Sequence, residues 1–157
     1  CGGMTTYHRS VVVDAPIERV WAFHSTIDGL RALTPGPLGL QVLAIRGDER
    51  GTLVQGSEID LQMRPLGVLP TTGWTSIITD REVSAERCRF TDVMRGGPFD
   101  HWRHEHTFEM EDGRTHVHDR VSLRLGGPLA GVISPFTVFG LSPMFWYRHR
   151  RTRAELE

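Results

Sequence analysis

The chain contains no lysine and no asparagine, and all 18 of its basic residues are arginine. Schiff-base and lysine-base mechanisms are therefore excluded. Cysteine is almost absent: beyond Cys1 there is only Cys88, which rules out a disulfide framework and makes a cytoplasmic setting the default expectation. Charge of one sign is also missing. The formal net charge is -1, so no global field recruits nucleic acid or anionic membrane, and neither is expected as a partner. No apolar run approaches the ~20 residues that span a bilayer, so stable membrane insertion is not expected. No Gly-x-Ser-x-Gly elbow supplies a nucleophile. The opening CGGM has neither the basic nor the apolar region of a signal peptide, and Cys1–Gly3 are set aside as extraneous residues before Met4.

What is present reads as one globular domain over residues 4–157, with 39% hydrophobic and 24% charged residues. TYHRSVVVD (6–14) is β-branched and reads as an opening strand. Asp14 stands where a helix N-cap belongs, ahead of Pro16 and Glu18, and IERVWAF follows with Ile17, Val20, Trp21 and Phe23 marking a buried face. A second short helix is expected around Asp28–Leu33. Strand signals then recur at 40–46, 52–63, 73–81, 87–94, 99–110 and 115–125, separated by Gly, Asp and Pro. Ser142-Pro143 reads as the start of a final helix that runs to the C-terminus. The fold class is α+β: six to seven antiparallel strands in hairpin succession, two short helices after the first strand, and one long closing helix. A long helix held against a curved sheet leaves a space between them, and such a space is a natural ligand cavity.

Three of the eight histidines crowd HWRHEH, residues 101–106. Asp112-Gly113 is a type I′ hairpin signal, and a two-residue loop there pairs Glu111 with Arg114. The same register opposes Glu109 to His116, Glu105 to Arg120, His106 to Asp119 and His104 to Val121. Opposed charges of opposite sign favour it. Side chains alternate, so Trp102, His104, His106, Phe108 and Met110 share an inner face with Val117, Asp119, Val121 and Leu123. The pleat sends His101, His116 and His118 outward. Only His104, His106 and Asp119 are left to converge, and strand residues two apart lie almost ~7 Å apart along the backbone. No metal and no cofactor is expected from this spacing, because zinc needs three or four ligands on one point.

Several segments carry a family resemblance across residues 6–155: Asp14-Ala-Pro with Val20-Trp21-x-Phe23, Gly73-Trp74 with Ile78, and Phe90-Thr-Asp92. Gly97-Pro98-Phe99-x-x-Trp102-x-His104-x-His106-x-Phe108, Thr115 with Asp119-Arg-Val121, and Tyr147-Arg-His-Arg-Arg complete the set. In order and spacing the chain resembles the START/Bet v 1-like (SRPBCC) superfamily, which includes polyketide cyclases and lipid-binding proteins. The nearest likeness is to small bacterial ligand-binding members, some of them attached to sugar-nucleotide epimerase-like domains. The resemblance implies a helix-grip fold, a curved antiparallel sheet wrapped on the C-terminal helix. Met94 departs from the pattern, standing where relatives carry a polar residue.

Two functions follow as expectations. The first is binding of a hydrophobic or amphipathic small molecule, such as a lipid, isoprenoid or aromatic polyketide-like compound, between the sheet and the last helix. Its expected contacts are Trp74, Phe90, Asp92, Trp102, His104, His106, Phe108, Asp119, Val121 and Phe139, with Phe136, Phe145 and Trp146 as further aromatics of the helix. The alternative is a cyclase or dehydratase acting through His106 as acid or base, oriented by Asp119, with His104 as a second donor. RHRRTR (148–153) reads as a solvated helix end that compensates the dipole rather than as a binding surface. Whether the chain pairs as a homodimer is left open by the sequence.

Overall fold

The computed structural model describes residues 3–128 and 130–157, with side chains placed outside 130–136 and 138. The elements run β1 (Thr5–Val13), α1 (Ile17–His24), α2 (Ile27–Ala32), β2 (Leu40–Arg46), β3 (Glu58–Met63), β4 (Thr72–Val83), β5 (Arg87–Arg95), β6 (Phe99–Glu111), β7 (Arg114–Leu125) and α3 (Ala130–Leu156). Seven antiparallel strands form one sheet in the order β1-β7-β6-β5-β4-β3-β2. Irregularities in the pairings of β2, β4 and β6 let the long strands bend. The sheet and the order of its helices match the helix-grip fold.

The β6–β7 hairpin has the expected register, with Glu111 opposite Arg114, Glu105 opposite Arg120 and His106 opposite Asp119. Asp112 and Gly113 both take positive φ, 52° and 76°, as a type I′ turn requires. The ion pairs, however, are made with other neighbours, along β6 and directly across to β5. Glu105 bonds Arg103 at 3.2 Å and Glu109 lies 3.4 Å from Arg87, because neighbours along and across the sheet compete with the opposed residue.

Three boundaries differ from expectation. Pro16, not Asp14, occupies the N-cap of α1, and the Asp14 amide bonds instead to Glu157 at the far end of α3. Residues 52–57 do not continue β3; Ser57 ties this stretch back, accepting from Val54 N–H at 2.8 Å and donating to the Gly47 carbonyl at 3.0 Å. Helix α3 does not begin at Ser142-Pro143 but runs through it from Ala130. Proline suits a first turn, whereas within a helix it removes a backbone hydrogen bond and its ring crowds the carbonyl four residues back; the packing of Leu141 and Phe145 on either side offsets that cost.

That packing is legible in the burial. Leu141 and Phe145 of α3 close on Tyr7, Val121 and Leu123 of β1 and β7. Under α1, Trp21 sits edge-on to Phe90 and Phe108, with ring centroids 5.8 and 5.5 Å apart, above Val13 and Val117. Ile27, Leu53, Ile59, Leu61 and Ile78 fill the opposite end of the sheet. A cavity of about 420 Å³ lies among these clusters.

Candidate functional site

The cavity wall is apolar along most of its length. Leu40, Leu61 and Met63 from β2 and β3, Trp74 and Ile78 from β4, and Phe90 and Met94 from β5 face Leu141, Met144 and Phe145 of α3. Phe99 and Trp102 of β6 complete it. Polar groups gather at one end: His24, Asp92, His104, His106 and Arg148.

The geometry of that end follows from strand register. Asp92 on β5 is the direct cross-strand partner of His104, and Phe90 is that of His106. Phe90 stacks on His106 with centroids 4.0 Å apart, and the His104 and His106 rings lie 3.6 Å apart. The two imidazoles stand between two carboxylates. On one side, Asp92 Oδ2 accepts from His106 Nε2 at 2.9 Å and lies 3.7 Å from His104 Nδ1. On the other, Asp119 Oδ1 accepts from His104 Nε2 at 2.7 Å. His106 Nδ1 is 3.1 Å from the same oxygen but too far off line for a hydrogen bond. The second Asp119 oxygen accepts from His149 Nε2 of α3 at 2.6 Å.

Electrostatics follow the contacts. Burial pushes the Asp119 carboxyl up, but His104, His106 and His149 outweigh it and hold Asp119 well below the usual carboxylate range. Asp92 is likewise held down against burial, mainly by His106. Burial and the neighbouring His106 lower His104. In His106 burial opposes the charged form, yet Asp119 and Asp92 prevail and its pKa is raised. His24 is pushed down to about 3 by burial, against the pull of its bond to the Val20 carbonyl at 2.8 Å. Since a carbonyl only accepts, His24 Nδ1 carries the proton.

Arg148 completes the polar end. Its guanidinium lines the cavity, with Cζ 5.9 Å from the Phe145 ring, and burial lowers its pKa while Asp119 and Asp92 act on it from a distance. Among the described residues no hydrogen bond or ion pair engages this guanidinium. Asp60, by contrast, is covered from outside by Arg46, and Arg95 is taken up by Glu58 at 2.8 Å.

Of the residues read from sequence as contacts, Trp74, Phe90, Asp92, Trp102, His104 and His106 reach the cavity wall. Four do not. Phe108 and Val121 are fully buried in the core beneath Trp21 and Phe145, and Asp119 lies behind the histidines. Phe139 is 74% exposed, since at 100° per residue it falls on the side of α3 opposite Leu141; Trp146 is also turned outward, under Arg150. Phe136 lies outside the described side chains. His106 donates its hydrogen bond to Asp92 and lies 3.1 Å from Asp119, so the expected pair stands within a wider cluster. His24, Arg148 and His149 were missed. The RHRRTR run is not wholly solvated: Arg148 and His149 turn inward, while Arg151 and Arg153 pair outward with Glu155 and Glu157. The spacing Leu141, Phe145, His149, Thr152 was the available signal for that inner face.

No curated protein matches the chain. Solved structures of similar fold include a START superfamily protein from Mycobacterium smegmatis, at 11% identity and TM-score 0.68, covering 98% of this chain and 97% of that one. Truncated norcoclaurine synthase from Thalictrum flavum is similar at 16% identity and TM-score 0.63, covering 94% and 92%. A nucleoside-diphosphate sugar epimerase from Corynebacterium glutamicum is similar at 22% identity and TM-score 0.63, over 94% of this chain but only 28% of that one. Residues 11–156 match the family model described as Domain of unknown function (DUF8410). The chain belongs to that family, and its fold is the START/Bet v 1-like helix grip.

Proposed function

We propose that the protein binds an amphipathic small molecule, a lipid-like chain or fused-ring compound carrying an acidic group. The observation that carries this reading is the division of one cavity of about 420 Å³ into a long apolar wall and a compact polar end. That volume lies within the range of about 300–1,000 Å³ usual for small-molecule sites. Trp74, Phe90, Phe99 and Trp102 suit an apolar body, and the unengaged Arg148 guanidinium suits a carboxylate head. An Arg in such a place is a fixed charge with two parallel donors, which a carboxylate can satisfy in full. The START superfamily likeness supports a binding role for the fold.

The test uses dodecanoic acid and dodecanol, followed by quenching of tryptophan fluorescence. Binding of the acid is expected to exceed that of the alcohol, and Arg148→Met is expected to weaken the acid by roughly 10–100-fold, from a charged hydrogen bond of about 1.5–3 kcal/mol. Narrowing the cavity with Ser76→Phe should weaken both ligands. Failure of both molecules to bind the wild type would refute the reading.

A further inference from the structure

The polar end holds a second arrangement, independent of whether the cavity takes an acid. Asp92, His104 and His106 each present one atom, and these three atoms lie within 4.8 Å of one another. They come from adjacent strands and share the inner face. The nitrogens involved are those on the ring edges that face Asp92. A carboxylate only accepts, so the 2.7 Å bond from His104 Nε2 to Asp119 places the proton there and leaves Nδ1 as a lone pair on the Asp92 side. The His106 ring is turned the other way round, with Nδ1 at 3.1 Å from the same Asp119 oxygen and Nε2 donating to Asp92 at 2.9 Å. Asp119 is itself anchored by His149 from α3. One buried carboxylate thus fixes the His104 ring and lies against one edge of His106, while the opposite edges of both rings face a second carboxylate on the cavity side. That is the outer-sphere arrangement by which proteins pre-set histidines for a metal.

We propose that Asp92 Oδ2, His104 Nδ1 and His106 Nε2 form a binding site for a divalent transition-metal ion, with Asp119 as its positioning residue. Two imidazoles and one carboxylate suit Zn²⁺, Co²⁺ or Fe²⁺, whereas Mg²⁺ and Ca²⁺ prefer all-oxygen sites. The ion takes the place of the proton that His106 Nε2 donates to Asp92; a neutral His106 keeps that proton on Nδ1, facing Asp119, and an imidazolium releases it to solvent. Three protein ligands leave a coordination position open to the cavity, as in sites that act on a bound molecule rather than hold a fold together. With the ion in place, its two charges and Arg148 exceed those of Asp92 and Asp119 by one, which favours an anionic occupant.

Titration with Co²⁺, read by its visible d–d absorption, tests the site. The expected result is saturation at one Co²⁺ per chain, displacement by Zn²⁺ and no displacement by Mg²⁺. His104→Gln should abolish the absorption and Asp92→Asn should weaken binding at least tenfold. Asp119→Asn, which removes none of the three donors, should weaken it by about 10–100-fold. Circular dichroism checks that each variant folds, and Asp92→Asn, at a partly exposed position, carries the test if His104→Gln does not. The outer face offers a competing cluster, His8, His116 and His118, with ring centroids 5.9 and 6.5 Å apart. Absence of saturable absorption would overturn the proposal. So would absorption that survives Asp92→Asn but is lost in a His116→Gln, His118→Gln double variant. Dodecanoate binding is measured on the same variants, so loss of the metal site and loss of the ligand reading are separable.

Discussion

His24 sits at the end of α1, packed 4.9 Å from Phe108, and is kept neutral with a pKa of about 3 chiefly by burial. In the unfolded chain the same ring titrates near its ordinary value of 6.5. Above that value both states are neutral and the group contributes nothing to pH dependence. As pH falls from 6.5 towards 3 the unfolded chain takes up a proton that the folded protein refuses, so stability is lost on acidification. Linkage between those two values gives a loss of about 2 kcal/mol between about pH 7.5 and about pH 5. The perturbation is His24→Gln, which keeps a donor for the Val20 carbonyl but cannot titrate. Urea unfolding followed by circular dichroism at both pH values gives the stability of each protein. Other buried groups titrate alike in both and cancel in the difference. The variant should lose about 2 kcal/mol less than the wild type over that interval. Equal losses would refute the burial assigned to His24.

Phe108→Ala should destabilise by about 3–5 kcal/mol in urea unfolding, since the ring is fully buried under Trp21; a loss under about 1 kcal/mol would place Phe108 at the cavity surface after all. Gly113→Ala forces an alanine to φ 76° and should cost about 1–2 kcal/mol, with no change in cavity binding. Pro143→Ala should raise the melting temperature, because Pro143 is an exposed interior residue of α3 and alanine is favoured there by up to about 3 kcal/mol. An unchanged melting temperature would mean that the helix is broken at Ser142.

The hairpin register was legible because one short signal, Asp112-Gly113, fixes both strands at once, and alternation then assigns every side chain to a face. The next register was not. β5 and β6 are joined by Gly96-Gly97-Pro98, with positive φ at 74° and 79° in the two glycines, and such a connection does not dictate which residues oppose. The sequence therefore does not match Asp92 to His104 and His106, and it pairs only His106 with Asp119. The inner face of α3 was hidden for another reason. Pro143 imitated a helix start, and the density of arginine in RHRRTR masked two inward residues among outward ones. Arg148 reaches the cavity end, and His149 reaches Asp119 behind it, because α3 closes over β1 and β7, a contact between elements far apart in sequence.

A crystal structure of the protein with dodecanoate tests the central claim most directly. The account predicts density along Trp74, Phe90 and Trp102, with the carboxylate within hydrogen-bond reach of the Arg148 guanidinium. A chain lying in the cavity with its carboxylate turned away from Arg148 towards solvent, or density only on the protein surface, would contradict it.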